Sequence, residues 1–365
     1  MHVLISRNAL LETLGAATGV VASRSPKEVL KCVHLTASKE GLLVSATDLE
    51  VALRGAVRQV EVKAPGDVLI PADKLLQITR ESVDETLELE SSEQTCHIRG
   101  SDSHYEIYGQ DPRDFPPVAD LEGKPDVEIE GGKLLSLIER TVFAVARENT
   151  RFAINGVLWE KKGRKLSLVA TDGRRMACAV EAADRVVGED AAMIVPARTV
   201  QAVQRVLAGV SELVAISFSH NQVVVRAGAY VISSALVEGQ FPQYEEVIPV
   251  DNDKKVVLAT DAFLSAVRRA ALLTNDQSKG IRLCFDDNRL VLSSRAPEQG
   301  EATISMPLEY ADRRLEIGFN PAFLTDALRV VGTPTVQLEL RDANRPGLLR
   351  AGPGFVYVIM PVSLA

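Results

Sequence analysis

Apolar residues fall three times into the same helical spacing along the chain. Leu10, Leu11 and Leu14 follow Ser6-Arg7-Asn8-Ala9 as a pair and a third residue one turn on, which puts them on one face of a helix. The spacing returns at Leu134, Leu135 and Ile138, 124 residues later, and again at Phe263, Leu264 and Val267. Ser6 and Asp261 stand where N-caps belong. A second helix opens near Pro71 in IPADKLLQITRES and near Pro196 in VPARTVQAVQRVL, 125 residues apart, and proline suits a first helical turn. Pro321 in FNPAFLTDALRVV lies another 125 residues on, with its apolar positions shifted by a residue or two. The spacing therefore predicts six helices, over 6–21, 71–83, 131–147, 196–210, 259–275 and 320–332.

Between the helices the pattern changes to alternation and short β-branched runs, as in LVAISFSHNQVVVRAGAYVISSALV from 213 to 237, with Gly, Asn or Asp at the breaks. These read as hairpin-linked strands. One strand and its turn also repeat: GLLVSATDLE at 41–50 matches KLSLVATDGR at 165–174, while the third repeat offers only NRLVLSSRAPEQ. FPPV at 115–118 and FPQYEEVIP at 241–249 close the first two repeats, since proline pairs favour extended linkers. The expected organisation is three α+β domains, 1–125, 126–252 and 253–365, each with two helices packed on antiparallel sheet.

Length agrees, because 365 residues exceed one ordinary core. Charge adds more. The chain carries −8 overall, yet the six predicted helices hold eleven basic against six acidic residues, so they sum to +5 and the remainder to −13. A protein that simply coats nucleic acid needs a basic excess throughout; here any DNA contact has to be local, on the helices.

Catalytic readings find little support. His2, His34, His97, His104 and His220 lie in or beside strand-like stretches and form no metalloprotease or nucleophile motif. SDSHYE at 101–106 puts Ser, His and Asp side by side, but neighbours on a strand point to opposite faces, so it reads as a turn into a strand. Asp48 and Asp172 follow strands and read as turn residues. Cys32, Cys96, Cys178 and Cys284 are scattered without a CxxC pair and read as reduced, buried thiols. No glycine-rich phosphate loop, signal peptide or membrane span is expected, which points to the cytoplasm. Two readings stay open from the residues alone: a non-catalytic DNA-binding protein, and a repeat-built hydrolase or peptide adaptor.

In order along the chain, SATDLE (45–50), IPADKLL (70–76), RFAINGVLWE (151–160), VATDGRRMA (169–177), EGQFPQYEEVIP (238–249), IGFNPAFL (317–324) and YVIMP (357–361) resemble the bacterial β sliding-clamp family, the beta subunit of DNA polymerase III, over the full length. The resemblance implies a DNA-clamp fold in a ring-shaped head-to-tail dimer, helices inside and sheets outside, that encircles duplex DNA and confers processivity without a catalytic site or cofactor. It implies DNA-facing roles for Arg24, Lys74, Arg80, Phe152, Arg198, Arg205 and Lys279. It also implies a peptide pocket lined by Ile154, Thr171, Gly173, Arg174, Arg175, Met176, Pro242, Val247, Asn320, Phe323, Pro346, Val358, Met360 and Pro361, where Leu and Phe anchors of partner tails would sit. The implied partners are the DNA polymerase III alpha subunit, a separate ATP-driven clamp loader, and other polymerases and repair proteins with clamp-binding peptides; no membrane is involved. Asp73 departs from the family pattern at a DNA-facing helix start and lowers the contribution expected of that helix, while Glu246, Phe323 and the ending MPVSLA depart from it around the pocket and imply a shifted partner preference.

Overall fold

The computed structural model describes residues 1–22, 24–121, 123–146, 153–274, 280–297 and 299–363. All six predicted helices are present, each shorter than its periodic run: α1 Arg7–Thr18, α2 Ala72–Glu81, α3 Gly131–Glu139, α4 Ala197–Leu207, α5 Thr260–Ala271 and α6 Pro321–Val330. Pro71 is the N-cap of α2, and Pro321 takes the first position of α6, where its missing N–H costs nothing. Ser6 does flank α1 but its side chain makes no capping bond, and Asp261 lies inside the first turn of α5, behind Ala259. The largest departure is α3, which stops at Glu139 rather than 147. The buried Thr141 hydroxyl donates back to the Leu137 carbonyl, 2.7 Å, and a 3-10 turn follows at Val142–Ala144. With the observed ends the helices hold nine basic and six acidic residues, a surplus of +3, because Arg140 lies past α3 and Arg147 outside the described residues.

The chain gathers into two compact units. The first comprises Met1–Leu135, Ala183–Glu189 and Arg198–Leu236, so it joins the first repeat to part of the second. It holds a five-stranded antiparallel sheet in the order Val60–Ala64, His2–Ser6, Thr86–Ser92, Thr95–Arg99, His104–Tyr108. Its other sheet has nine strands, and the middle of that sheet is a seam between repeats: Tyr230–Ala235 pairs antiparallel with Val51–Val57, Ile232 opposite Leu53. Close approach is built in at Gly55, where a Cβ would come within 2.8 Å of Thr13 on α1 and 2.9 Å of the Tyr230 ring.

The second unit comprises Ser136–Ala182, Asp190–Ala197 and Val237–Ala365. Its four-stranded sheet runs Gly300–Pro307, Arg289–Ala296, Ile281–Asp286, Leu315–Phe319. Its eight-stranded sheet is again joined across repeats, Arg175–Ala182 pairing antiparallel with Phe355–Ile359, Ala177 opposite Tyr357. One face of this sheet carries Trp159, Leu168, Phe355 and Tyr357, all buried to 1% exposure or less. Tyr357 donates to the Phe323 carbonyl of α6, 3.0 Å, which ties helix to sheet.

The two seams use equivalent strands. Val51–Val57 and Arg175–Ala182 each follow a repeated TD turn as the third strand of a meander, and Tyr230–Ala235 and Phe355–Ile359 are each the last strand of their repeat. The remaining member of each class ends a sheet: His104–Tyr108 closes the first repeat, and Gly300–Pro307 is the third strand of the third repeat's meander. No helix among the described residues is long and apolar enough to cross a membrane.

Candidate functional site

On the second unit's long sheet, the face opposite Trp159 is also apolar, and register explains how distant residues meet there. Side chains two apart on a strand share a face, and paired residues on adjacent strands touch. One row crosses five strands as Ile194, Leu158, Val169, Cys178 and Val356. A second row runs Thr171, Met176, Val358 and Leu348. Together with Ala153 these apolar residues form one packed cluster, against which Val237, Phe241, Tyr244 and Ile248 lie. Burial pushes the Cys178 thiol up to about 12, so it stays protonated and serves as an inert apolar wall.

Two loops frame the cluster. The 3-10 turn Tyr244–Val247 occupies the segment that the proline pattern marked only as extended. It is fastened by the Tyr244 hydroxyl, which donates to Glu160, 2.8 Å; burial raises that phenol above its ordinary value. Fastening Tyr244 fixes Val247, 45% exposed, beside the exposed Glu245 and Glu246. Opposite in sequence, the turn Thr171–Arg175 is closed by its own side chains: Asp172 Oδ1 accepts from the Arg174 and Arg175 amides, both 3.0 Å, and the Thr171 hydroxyl accepts from the Gly173 amide and donates to the Arg175 carbonyl. Gly173 sits at φ +84°, where an L side chain is strained, with open space on its Cβ side.

Arg175 is the most heavily engaged candidate. Its Nε donates to Asp172, 2.9 Å, its Nη1 to Asp326 of α6, 2.7 Å, and its Nη2 to the Phe143 carbonyl, 2.9 Å. The guanidinium also lies 4.5 Å from the Phe323 ring centroid and 5.4 Å from that of Phe143. With its side chain only 10% exposed, Arg175 locks strand, turn and α6 together and positions Phe323. Arg174 beside it is exposed, and its carbonyl accepts from the Met360 amide, 2.9 Å, which sets Met360, 40% exposed, at the rim. Pro242 and Pro361 are half-buried, and Ile154 is buried next to Ala153.

Two candidates have other duties. Asn320 caps α6, its Oδ1 accepting from the Ala322 amide, 2.9 Å, and it lines a separate polar depression with Arg268, Thr325 and Asp326. Pro346 offers its carbonyl to the buried Asn252, 3.3 Å. Sequence reasoning missed Leu158, Val169, Cys178, Ile194 and Tyr244. Their parity on the strands was readable, but which strands are neighbours was not.

The DNA-facing candidates fall on the first unit, apart from Phe152 and Lys279, which lie outside the described residues. Arg24 is exposed in the turn after α1, and Lys74 and Arg80 are exposed on α2, whose opposite face buries Ala72, Leu75 and Thr79. Arg198 and Arg205 on α4 both reach the C-terminal end of α1, where the carbonyl dipoles favour cations. Arg198 donates to the Val20 carbonyl, 3.0 Å, and pairs with Asp48, while a Cβ at Gly19 would fall 1.8 Å from the Arg205 guanidinium. Both therefore serve the helix packing as well as the surface. Arg268, Arg269 and Arg329 are further exposed cations on α5 and α6 that sequence reasoning did not single out. No group of three or more metal-ligating side chains gathers among the described residues.

Family comparison decides what this architecture is. Residues 1–119 match the model of the DNA polymerase III beta subunit N-terminal domain, 128–243 that of its central domain and 245–363 that of its C-terminal domain. The chain belongs to the DNA polymerase III beta subunit family. It is 35% identical to the beta sliding clamp of Pseudomonas putida and 29% identical to that of Escherichia coli K12, covering all of both chains in each case. A Pseudomonas aeruginosa sliding clamp solved bound to griselimycin superposes with a TM-score of 0.94 at 34% identity, and a Bacillus subtilis clamp with 0.94 at 25%, each over 100% of both chains. The three-domain clamp fold, with six helices on antiparallel sheets, thus extends over the whole length. Beta sliding clamps are non-catalytic processivity factors of DNA polymerase III, which removes the hydrolase reading.

Proposed function

We propose that two copies of this chain close head to tail around duplex DNA and tether DNA polymerase III and other DNA-processing proteins through the apolar site of the second unit. The clamp domains are taken as 1–125, 126–252 and 253–365, working in the cytoplasm. The observation that carries the ring is the seam. Twice within the chain a third meander strand pairs with the last strand of a repeat, and the unused pair are sheet edges, His104–Tyr108 and Gly300–Pro307. A bare edge is a template for another strand, so the same joint made between two copies uses both.

Retention then comes from enclosure. DNA presents roughly one charge per 1.7 Å of axis, and a ring that slides needs attraction without base-specific holds. Exposed Arg24, Lys74, Arg80, Arg198 and Arg205, with Lys279, supply weak positive charge and Phe152 an uncharged contact, while the acidic remainder disfavours side-on binding. Asp73, exposed beside Lys74, lowers the contribution of α2.

The apolar site takes an extended tail with Leu and Phe anchors, such as that of the DNA polymerase III alpha subunit, a clamp loader or a repair protein. Exposed Val247 and Met360 beside the cluster support this, since apolar surface left open on a packed sheet marks a binding site. Met176 and Met360 repack at little cost, which suits several partners in one site. Arg174, Glu245 and Glu246 at the rim bias the choice by charge.

The test loads the purified full-length protein onto nicked circular DNA. The expected result is survival in high salt and loss once the circle is linearised. Equal loss from circle and linear form refutes enclosure.

A further inference from the structure

The outer face of the five-stranded sheet, which ends at the edge strand His104–Tyr108, carries a grid of ionisable side chains. Pairing places His2, Glu90, His97 and Glu106 in one row and Glu88, Arg99 and His104 in the next. Most charges are already matched: His2 Nε2 meets Glu88 at 2.7 Å, and Arg99 binds Glu90 at 2.7 Å with Glu88 at 3.8 Å. His97 and His104, diagonal neighbours on adjacent strands, face each other instead. Their rings stack at 5.4 Å and 30°, with His97 Nδ1 3.3 Å from His104 Nε2.

We propose that His97 and His104 form a bidentate site for a divalent transition-metal ion such as Zn²⁺, Ni²⁺ or Cu²⁺. A metal–nitrogen bond of about 2.0–2.1 Å at a tetrahedral angle spaces two donor nitrogens by about 3.3–3.4 Å, so the nitrogens already stand at the bite of one ion. The antiparallel register holds them there, so binding requires little rearrangement. Both neutral imidazoles give their lone pairs to the ion, His97 keeping its proton on Nε2 and His104 on Nδ1, and water completes the coordination. Glu88 and Glu90 offset the charge of Arg99 beside the pair. The inner face of the same strands is apolar, with Cys96, Ile98 and Ile107 buried, so the ion is confined to the outside.

Isothermal titration of the untagged full-length chain with Zn²⁺ at pH 7.5 is expected to give one equivalent. His97→Gln and His104→Gln should each weaken binding at least tenfold, with metal-free melting temperature unchanged because both side chains reach solvent, and His220→Gln should change nothing. Cu²⁺ on the unmodified chain should show two equatorial nitrogen donors by electron paramagnetic resonance. Undiminished Zn²⁺ uptake by both single variants, or uptake by the unmodified chain no greater than by the double variant, overturns the proposal and leaves the rings as a hydrogen-bonded pair.

Discussion

The two TD turns of the chain, Thr47–Val51 and Thr171–Arg175, are built alike and used differently. In each the threonine hydroxyl donates to the carbonyl four residues on and accepts the amide two residues on, and the aspartate Oδ1 accepts two amides. In each the other carboxylate oxygen holds an arginine. The first turn borrows Arg198 from α4, half exposed. The second uses Arg175 from its own strand, buried, and extends the bond network to Asp326 and two phenylalanine rings. The left-handed position is Leu49 at φ 82° in one and Gly173 at φ 84° in the other. One turn template thus served first as a fastener between repeats and second as a support beneath the proposed binding surface, where glycine leaves open space and Arg175 fixes the turn to α6.

The largest expected effect separates the two arginines. Arg175→Met leaves Asp172 and Asp326 without their cation in a mostly buried setting and should cost about 3 kcal/mol by urea denaturation. Arg198→Met removes a half-exposed arginine from Asp48, whose carboxylate is 6% exposed but keeps its two backbone amide donors, and should cost less, about 1 kcal/mol. Equal costs would mean that burial does not distinguish the turns. Next in size, Met360→Ala combined with Phe323→Ala should weaken a Leu/Phe-containing polymerase tail peptide at least tenfold, about 1.4 kcal/mol, while sedimentation shows an intact dimer. Unchanged affinity in a direct titration removes the assignment of the site. Gly173→Ala should cost about 1 kcal/mol for the left-handed backbone it forces on a side chain. Smallest is Leu49→Gly, which relieves the same strain at an exposed position but loosens the unfolded chain, for a net gain of about 0.5 kcal/mol in unfolding free energy by urea denaturation. A loss there would place Leu49 in a contact the turn needs.

Much of this was legible in the residues. Helical spacing located all six helices because their buried stripes are continuous, as at Leu10 and Leu14 or Phe263 and Val267. It overran α3 because VFAVA continues the apolar rhythm, and only the backward bond of Thr141 shows where the helix ends. The seams were not legible, since pairing Ile232 with Leu53 or Ala177 with Tyr357 is a long-range choice that local pattern does not encode. The site shares that fate. Resemblance named Met176, Val358 and Met360, whereas Leu158, Cys178 and Ile194 enter only once the strands are set side by side. Arg175, named by resemblance as lining the pocket, directs its guanidinium donors to Asp172, Asp326 and the Phe143 carbonyl, contacts that only the fold reveals.

The recurrence of one joint has a mechanical consequence. Within a chain, backbone runs on through the joints at Val51–Val57 and Arg175–Ala182, so pulling either apart also strains covalent connections. In the proposed ring, where His104–Tyr108 of one copy would receive Gly300–Pro307 of the next, no covalent connection crosses the joint. A motor prising such a hoop open would meet its least resistance at the two places where one polypeptide stops and another begins.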